Sequence, residues 1–298
     1  MRSRPSAPFG TVVTAVLTPF DDDGNVDYAT FCRLLRHLAD NGSDGVVVAG
    51  TTGESPTLSH VEKVALFQTA FDAVGNRMQI IAGVGTYDTA ESIRLSRQAA
   101  DIGVDGLMAV TPYYSRPPQE GLYRHFTAIA DETDLPLMIY NIPGRTARLI
   151  EIKTLVALSK HEGIVAVKDA VDNEEFSRNS LDALPEDFAV YSGSDSMNRT
   201  IISAGGVGAV SVASHLVGSQ LKRLIDAVIS GDDKEADRIE EALAPLCEAL
   251  FVEPSPMPLK AAMGSMWGPV GDPRLPLVPA AQSTRDLLEK AMETAQLI

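Results

Sequence analysis

The sequence has few cysteines and few basic residues, and each shortage excludes a class of protein. Cys32 and Cys247 are the only cysteines among 298 residues, and each stands in an apolar helical pattern. We therefore expect two buried, reduced thiols in a cytoplasmic protein, and neither a disulfide nor a metal site. Lys and Arg total 25 against 40 Asp and Glu, a formal net charge of −15. Because nucleic acids and anionic membranes attract basic surfaces, we expect neither as a partner.

Long apolar runs and several catalytic motifs are also missing. No run approaches the roughly 18 apolar residues that suggest a membrane span. The start, MRSRPSAPFG, lacks the apolar centre of a secretory signal, so we expect none. The five histidines show no metal-ligand spacing, and neither a G-x-S-x-G nor a G-x-x-x-x-G-K-[ST] motif is present. These absences argue against metal, nucleotide and serine-hydrolase chemistry.

What the sequence does contain is a repeat of short apolar runs separated by longer amphipathic stretches. Such near-continuous apolar runs suit parallel strands that are covered on both faces. The eight runs are TVVTAVLTP from Thr11, GVVVAG from Gly45, MQIIAGVG from Met78, GLMAVTP from Gly106, LPLMIYN from Leu135, GIVAVKDA from Gly163, FAVYSGSD from Phe188 and GVGAVSVAS from Gly206. Eight strand–helix periods in about 220 residues predict an α/β fold, a (β/α)8 TIM barrel. A doubly wound sheet is the alternative, but no G-x-G-x-x-G follows the first strand.

The end of the chain differs from the rest because it contains helical patterns only. The stretch EPSPMPLK interrupts these patterns once. We therefore predict a catalytic barrel over residues 1–218 and an appended C-terminal helical segment over residues 219–298.

One helix can be read in detail. Ser59 and Glu62 have the spacing of a capping box, which predicts a helix start. An apolar stripe follows at helical spacing, typical of a helix packed on one face. The residues of this expected stripe are Val61, Val64, Ala65, Phe71 and Val74.

The predicted strands end in polar residues. In TIM barrels the carboxyl ends of the strands carry the active site. GTTGES follows the second strand, TPYY the fourth, YNIPGRT the fifth, KDA closes the sixth, and SGSD follows the seventh. In GTTGES we expect Gly50 and Gly53 to allow a tight turn. Glu54 is expected to hold this loop by accepting backbone hydrogen bonds, and we place it outside the catalytic set.

Lys168 is the most informative of these strand-end residues. Alternation along IVAVK places Lys168 on the same face as Ala166 and Ile164. If Val165 and Val167 pack against the helices, the ammonium of Lys168 is expected to point into the barrel and to be partly desolvated. Such burial can lower a lysine pKa to about 7–8 and produce a nucleophilic amine for a Schiff base. A snorkelling or ion-paired lysine at a strand end is the alternative.

Tyrosines and an arginine surround this position in the predicted barrel. Tyr140 shares a strand face with Met138 and can exchange protons with a neighbouring amine, or it can simply anchor the sheet. Tyr113 and Tyr114 are adjacent and therefore face opposite ways, so only one is expected to serve this chain's own pocket. Arg145 suits bidentate capture of a carboxylate, with a surface salt bridge as the alternative.

Six motifs together resemble one known family. They are GTTGESPTLSHVEK, TPYYSRPPQEGLYRHF, YNIPGRT, VAVKDA, YSGSD and GDPRLPLVP, and the resemblance that they carry runs from about Gly10 to Pro279. In order and register they resemble the dihydrodipicolinate synthase family of class I, pyruvate-dependent aldolases. The resemblance implies a TIM barrel with a C-terminal helical segment, a homotetramer built as a dimer of dimers, and no metal or organic cofactor. It also implies condensation of pyruvate with L-aspartate 4-semialdehyde to 4-hydroxy-tetrahydrodipicolinate, on the route to diaminopimelate and lysine.

The resemblance further implies catalytic roles for four residues. Lys168 would form an imine with pyruvate, and Tyr140 would donate and accept protons. Thr51 and Tyr114 would complete a proton relay. Tyr114 would reach this relay across the interface of a tight dimer.

Four more residues are implied in substrate binding. Thr52 and the backbone near Val210 would hold the carboxylate of pyruvate, and Gly193 would belong to the same substrate site. Arg145 would receive the carboxylate of the aldehyde.

Two other functions compete with this prediction. A second aldolase or lyase, acting on a sialic acid or a 2-keto-3-deoxy sugar acid, would keep Lys168 and Tyr140 but would not need Arg145. A non-enzymatic pyruvate sensor or oligomeric scaffold would need only the barrel. The presence of Lys168, Tyr140, Thr51 and Tyr114 together argues against the scaffold.

Overall fold

The fold is a closed barrel of eight parallel strands. A computed structural model describes residues 5–295. Each strand pairs with the next in chain order, and the first pairs with the last. The strands are β1 (Val12–Ala15), β2 (Gly45–Val48), β3 (Gln79–Gly83), β4 (Gly106–Val110), β5 (Leu137–Asn141), β6 (Ile164–Asp169), β7 (Ala189–Ser192) and β8 (Gly208–Ser211). The predicted (β/α)8 TIM barrel is therefore confirmed.

Helices connect the strands and continue after the last of them. Residues 5–295 contain α1 (Tyr28–Asp40), α2 (His60–Val74), α3 (Thr89–Ile102), α4 (Gln119–Ala130), α5 (Pro143–Thr146), α6 (Ile152–Leu158), α7 (Glu174–Ala183), α8 (Asn198–Ser203), α9 (Ser214–Ser230), α10 (Asp233–Ala249), α11 (Met257–Met266) and α12 (Gln282–Ala295). Two short 3₁₀ turns lie at Ser55–Thr57 and Asp195–Met197. No helix of this described part is long and apolar enough to cross a membrane.

Alternation along the strands separates an inner from an outer core. Val13, Val47 and Met138 point into the barrel, whereas Val12 and Val46 pack outside against the helices. Successive side chains of a strand point to opposite faces, and both faces of a barrel strand are covered. The strands are therefore apolar on both sides, which explains the near-continuous apolar runs in the sequence.

Strand β6 departs from simple alternation at one residue. Leu137 of β5 pairs with Ile164 and Met138 pairs with Ala166, so the register shifts and leaves Val165 without a partner. Val165 packs against the inner core, whereas Ile164 belongs to the outer one. The predictions that Ile164 shares the face of Lys168 and that Val165 packs against the helices are therefore wrong, because a bulge adds one residue and inverts the alternation before Ala166.

Helix α2 begins as predicted but buries a different face. Ser59 and Glu62 form the capping box, with Ser59 N donating to Glu62 Oε2 at 2.7 Å. Val61 is 75% exposed and Phe71 is also exposed, so the expected stripe is wrong at these two positions, whereas Val64 packs partly against the core and Val74 is buried. The buried residues are Lys63, Leu66, Phe67, Ala70 and Val74. The helix is apolar around most of its circumference, so periodicity alone did not select the face that the barrel covers.

The C-terminal helices pack on one another and on the barrel. Helix α9 packs against β1 and α10, and α12 packs against α10 and α11. The predicted boundary between residues 218 and 219 falls inside α9, and the division into two domains stays a prediction. Cys247 is buried as expected, whereas Cys32 is partly exposed, and both are free thiols.

Candidate active site

Lys168 and Tyr140 lie side by side at the carboxyl ends of β6 and β5. They are register partners on these neighbouring strands, and Lys168 Nζ lies 4.1 Å from the centroid of the Tyr140 ring. Met138 and Ala166 lie beneath them in the inner core. The bulge in β6 precedes Ala166, so normal alternation carries Lys168 inward. The predicted inward lysine and the shared face of Tyr140 and Met138 agree with this geometry.

The environment of Lys168 favours a neutral amine. Only 4% of the residue is exposed, and this burial lowers its pKa to about 7. The negative charge of Asp195 raises this pKa, and the positive charge of Arg145 lowers it. Within residues 5–295 no carboxylate forms an ion pair with Lys168. The structure thus offers a desolvated amine and gives no support to the ion-paired alternative.

Tyr140 stays protonated in the same environment. It is buried, and burial raises its pKa to about 12. The charge of Arg145 and a hydrogen bond with the Thr51 side chain act in the opposite direction. The protonated phenol is therefore a neutral proton donor beside Thr51, and the face of its ring contacts the amine of Lys168.

Gly193 leaves the space that the lysine side chain occupies. It follows β7, and its N–H donates to the carbonyl of Asp169 at 2.7 Å. A Cβ at this position would lie 2.8 Å from Lys168 Cγ and 2.9 Å from Lys168 Cε. The same Cβ would also lie 2.9 Å from Ala170 Cβ, so a glycine is required here by close packing against Lys168 and Ala170 and not by backbone torsion.

The loop that carries Thr51 and Thr52 turns in an unexpected way. Its left-handed residues are Ala49, with φ 54°, and Glu54, with φ 56°, whereas Gly50 and Gly53 have no positive φ. A Cβ on Gly53 would lie 3.0 Å from the carbonyl oxygen of Val16. The expectation that the glycines supply the turn is therefore wrong. Gly53 provides close packing against the chain that follows β1.

A cavity of about 220 Å³ opens at this end of the barrel. Three predicted site residues, Thr51, Tyr140 and Arg145, lie in its wall together with Tyr113. Lys168 lies behind the wall, in contact with the ring of Tyr140. A second cavity of about 550 Å³, bordered by α11 and α12, contains none of the predicted site residues.

The adjacent tyrosines face different surroundings. Tyr113 lines the cavity and packs edge-on against Tyr87 with a centroid distance of 5.3 Å. Tyr114 is 95% exposed and adopts φ 67°. A bulky residue in the left-handed region is strained. The sequence predicts that one of these adjacent tyrosines serves this chain's own pocket, and the structure places Tyr113 there. The sequence assigns Tyr113 no catalytic or binding role.

Arg145 is available to an incoming anion. It lies on α5 in the wall of the cavity. In the described part of the chain no carboxylate lies within ion-pair distance of its guanidinium. The alternative of a surface salt bridge therefore finds no partner there.

Thr52 and Val210 are buried and do not line the cavity. Thr52 follows Thr51 in the loop, and Val210 lies on β8 in the inner core, paired with Val13. Together with Gly193 and Tyr114, they remain outside the wall that holds Thr51, Tyr140 and Arg145.

Sequence reasoning missed Asp195. Its buried carboxylate accepts the N–H groups of Val212 and Ala213 at 2.9 and 2.8 Å. It therefore holds the chain just after β8, and its charge also raises the pKa of Lys168. The only signal was its place in SGSD after the seventh strand. Serine and aspartate are also common in turns, so this signal did not distinguish a functional residue from a turn residue.

Known proteins resemble the chain over nearly its whole length. The family model described as the dihydrodipicolinate synthetase family matches residues 8–295. A 4-hydroxy-tetrahydrodipicolinate synthase from Heliobacterium modesticaldum is 50% identical over 272 residues, 91% of each chain. The enzyme of the same name from Desulforudis audaxviator is 46% identical over 290 residues, 97% of this chain and 99% of that one.

Solved structures agree with these relatives. A dihydrodipicolinate synthase from Bacillus anthracis superposes with a TM-score of 0.93 at 44% identity, covering 96% of this chain and 98% of its own. The enzyme from Cyanidioschyzon merolae, solved with lysine bound, gives a TM-score of 0.95 at 43% identity, covering 98% and 100%. This chain belongs to the dihydrodipicolinate synthetase family.

Proposed function

We propose that this chain is an enzyme that condenses pyruvate with L-aspartate 4-semialdehyde to 4-hydroxy-tetrahydrodipicolinate. The observation that carries the proposal is the buried amine of Lys168, with a pKa of about 7, in contact with Tyr140. The curated relatives of that name support this reaction over cleavage of a sialic acid or a ketodeoxy sugar acid. The product belongs to the route to diaminopimelate and lysine.

The first stage is imine formation on Lys168. Its neutral amine attacks the keto carbon of pyruvate and gives a carbinolamine. The carbinolamine loses one water, and the carbon–nitrogen double bond forms. Because its phenol stays protonated at neutral pH, Tyr140 can supply a proton to the departing hydroxyl. It recovers a proton in a later step.

The second stage forms the carbon–carbon bond. The imine loses a methyl proton and becomes an enamine, whose carbon attacks the aldehyde carbon of the second substrate. The aldehyde oxygen takes up a proton and becomes a hydroxyl, and the imine on Lys168 is re-formed. The amino group of that substrate then adds to the imine carbon and expels Lys168, which closes the ring. Every step is redox-neutral, and the expected lack of a metal or organic cofactor is part of this proposal.

Protons reach the site through a relay of hydroxyl groups. Tyr140 and Thr51 interact within one chain. The third member is Tyr114 of a second copy, whose exposed position suits a role outside its own barrel. We place this pair of copies in a homotetramer, a dimer of dimers, and the cytoplasmic location of the protein stays a prediction.

Carboxylates of both substrates need partners against the acidic net charge of −15. Pyruvate's carboxylate is assigned to Thr52 and the backbone near Val210, with Gly193 in the same site. The carboxylate of L-aspartate 4-semialdehyde is assigned to Arg145, which lines the cavity. A guanidinium fork binds a carboxylate in two parallel hydrogen bonds.

Reductive trapping tests the chemistry of Lys168. Treatment with pyruvate and borohydride is expected to add a reduced pyruvyl group at Lys168, located by peptide mass spectrometry. Lys168→Ala and a sample without pyruvate serve as controls. An unmodified Lys168 in the pyruvate-treated protein contradicts both aldolase functions.

A substrate comparison tests the specific reaction. Wild-type protein is expected to consume pyruvate with L-aspartate 4-semialdehyde and to leave N-acetylneuraminate and ketodeoxy sugar acids intact. Trapping without condensation, together with cleavage of a sugar acid, overturns the proposed substrate while leaving the Schiff base in place.

A further inference from the structure

A buried ion pair joins the C-terminal segment to the threonine loop. Glu54 is 2% exposed and Lys260, on α11, is 4% exposed, with 2.7 Å between Glu54 Oε1 and Lys260 Nζ. The ammonium also lies 4.1 Å from the centroid of the Phe20 ring and donates to the carbonyl of Asp272 at 3.3 Å. Two buried charges are costly unless they pair, so each holds the other in place.

Arg274 extends this connection to neighbouring loops. Its backbone N–H donates to Glu54 Oε2 at 2.8 Å. Its guanidinium donates to the carbonyls of Thr57 at 2.8 Å and Gly24 at 2.9 Å, and it pairs with Glu62 of the capping box. The segment after α11 therefore holds the loops that follow β1 and β2, together with the start of α2.

The conformation of Glu54 is transmitted to the threonines through the backbone. Glu54 adopts φ 56°, a conformation that L-residues avoid without outside support. Its N–H donates to the carbonyl of Thr51 at 3.0 Å, and Ser55 N–H donates to the carbonyl of Gly50 at 3.2 Å. A change in Glu54 therefore moves the turn that carries Thr51 and Thr52.

We infer that Glu54, Lys260 and Arg274 form a C-terminal brace that positions Thr51 and Thr52 for pyruvate binding and proton transfer. The inference rests on the proposed function. These three are positioning residues, because they act on the site through the loop. The C-terminal segment is then a working part of the active site, and its removal or displacement disturbs chemistry as well as folding.

Kinetics on folded variants test the brace. Glu54→Gln and Lys260→Met are expected to raise the pyruvate concentration that half-saturates trapping and to lower turnover about tenfold or more per folded site. The double variant is expected to lose no more than the worse single variant, because the partners act as one unit. Lys222→Met is the control, since it removes an ion pair between α9 and Asp44 at the other end of the barrel.

The outcomes separate positioning from stability. The brace is overturned if Glu54→Gln and Lys260→Met lower the melting temperature yet keep wild-type saturation by pyruvate and wild-type turnover per folded site. It is also overturned if Lys222→Met weakens pyruvate binding equally. If neither brace variant folds, Glu54→Asp decides, because it retains the charge and shifts the carboxylate. A folded Glu54→Asp is expected to bind pyruvate more weakly, and unchanged binding rejects the inference.

The same experiment keeps the two proposals distinct. Wild-type protein that traps no pyruvate contradicts the proposed function whatever the variants do. Wild-type protein that traps pyruvate normally leaves that function standing, and the variants then decide the brace alone.

Discussion

Lys168 combines burial with a pKa of about 7, and this sets the pH dependence expected of imine formation. The amine attacks only when neutral, so the fraction able to react rises as the pH passes upward through about 7 and levels off above it. We expect rates of pyruvate trapping by cyanoborohydride to follow this curve from about pH 5 to about pH 9. A midpoint near the ordinary lysine value contradicts the desolvated amine.

Gly193→Ala places a methyl group against Lys168. Because the new Cβ would lie 2.8 Å from Lys168 Cγ, the lysine must shift from its place beside Tyr140. We expect trapping and turnover to fall about tenfold or more, with a loss of about 1–3 kcal/mol in the free energy of unfolding. Gly264→Ala is the control, because its Cβ would meet nothing within 4 Å. Equal kinetics for the two variants refute the crowding argument.

Arg145→Ala separates the two substrates. Loss of the guanidinium is expected to lower kcat/KM for the aldehyde about tenfold or more, while pyruvate trapping at saturating pH changes little. Arg145 also lowers the pKa of Lys168, so its removal moves the midpoint of the trapping profile to higher pH. Steady-state kinetics with each substrate varied, together with trapping profiles, measure both effects. Equal loss for both substrates contradicts the assigned role.

At the scale of elements, the capping box of α2 makes a stability prediction. The Ser59 side chain accepts the N–H of Glu62 at 3.3 Å, and Glu62 accepts the N–H of Ser59. Ser59→Ala removes the first of these bonds, together with the bond that the Ser59 hydroxyl donates to Glu62 Oε2 at 2.9 Å, and is expected to lower the free energy of unfolding by about 1 kcal/mol. Urea denaturation measures this loss, with Ser59→Asn as a matched variant that restores a capping side chain. Equal stability of the wild type, Ser59→Ala and Ser59→Asn contradicts a stabilising role for the cap.

Elements were predicted better than the details within them. Eight apolar runs identified the eight strands, and the Ser59 and Glu62 pair identified the start of α2. The face buried by α2 was mistaken at Val61, because an apolar helix offers several stripes and only the barrel selects one. Alternation failed at Ile164, because a bulge depends on the pairing of two strands and leaves no mark in either sequence.

At the scale of the whole molecule, the exposed Tyr114 leads to a test of the proposed assembly. If Tyr114 serves the neighbouring copy, a Lys168→Ala chain and a Tyr114→Phe chain together rebuild one complete site. Random mixing of the two is then expected to recover up to about a quarter of wild-type activity, since about half of the dimers are mixed and one site in each is complete.

Separate tags on the co-expressed chains report the share of mixed dimers, and activity is assayed on the unfractionated sample, to which the expected quarter applies. Each variant alone serves as the control and is expected to be nearly inactive. Activity no greater than that of the separate variants places Tyr114 within its own chain's site, or outside catalysis. Sedimentation measurements of the same samples report whether the assembly is the proposed tetramer.

The sequence by itself determined the barrel and the positions of its reactive ends. Repeated apolar runs require strands covered on both faces, and the residues that close those strands must meet at one end of a parallel barrel. For this reason Lys168 and Tyr140 were identified together, although they lie 28 positions apart in the chain. Alternation of side chains near the end of β6 was enough to place Lys168 inside the barrel, because the bulge in this strand lies before Ala166.

Only the tertiary structure decided which distant residues support that site. Glu54 and Lys260 form an ion pair although they are far apart in the chain. Position 193 must be glycine because a Cβ there would clash with the side chain of Lys168. No periodicity or spacing encodes such contacts, since they arise from how separate elements come to rest against one another. The physical reason is that hydrophobic periodicity and motif spacing depend on near neighbours in sequence, whereas burial, charge pairing and pKa depend on neighbours in space.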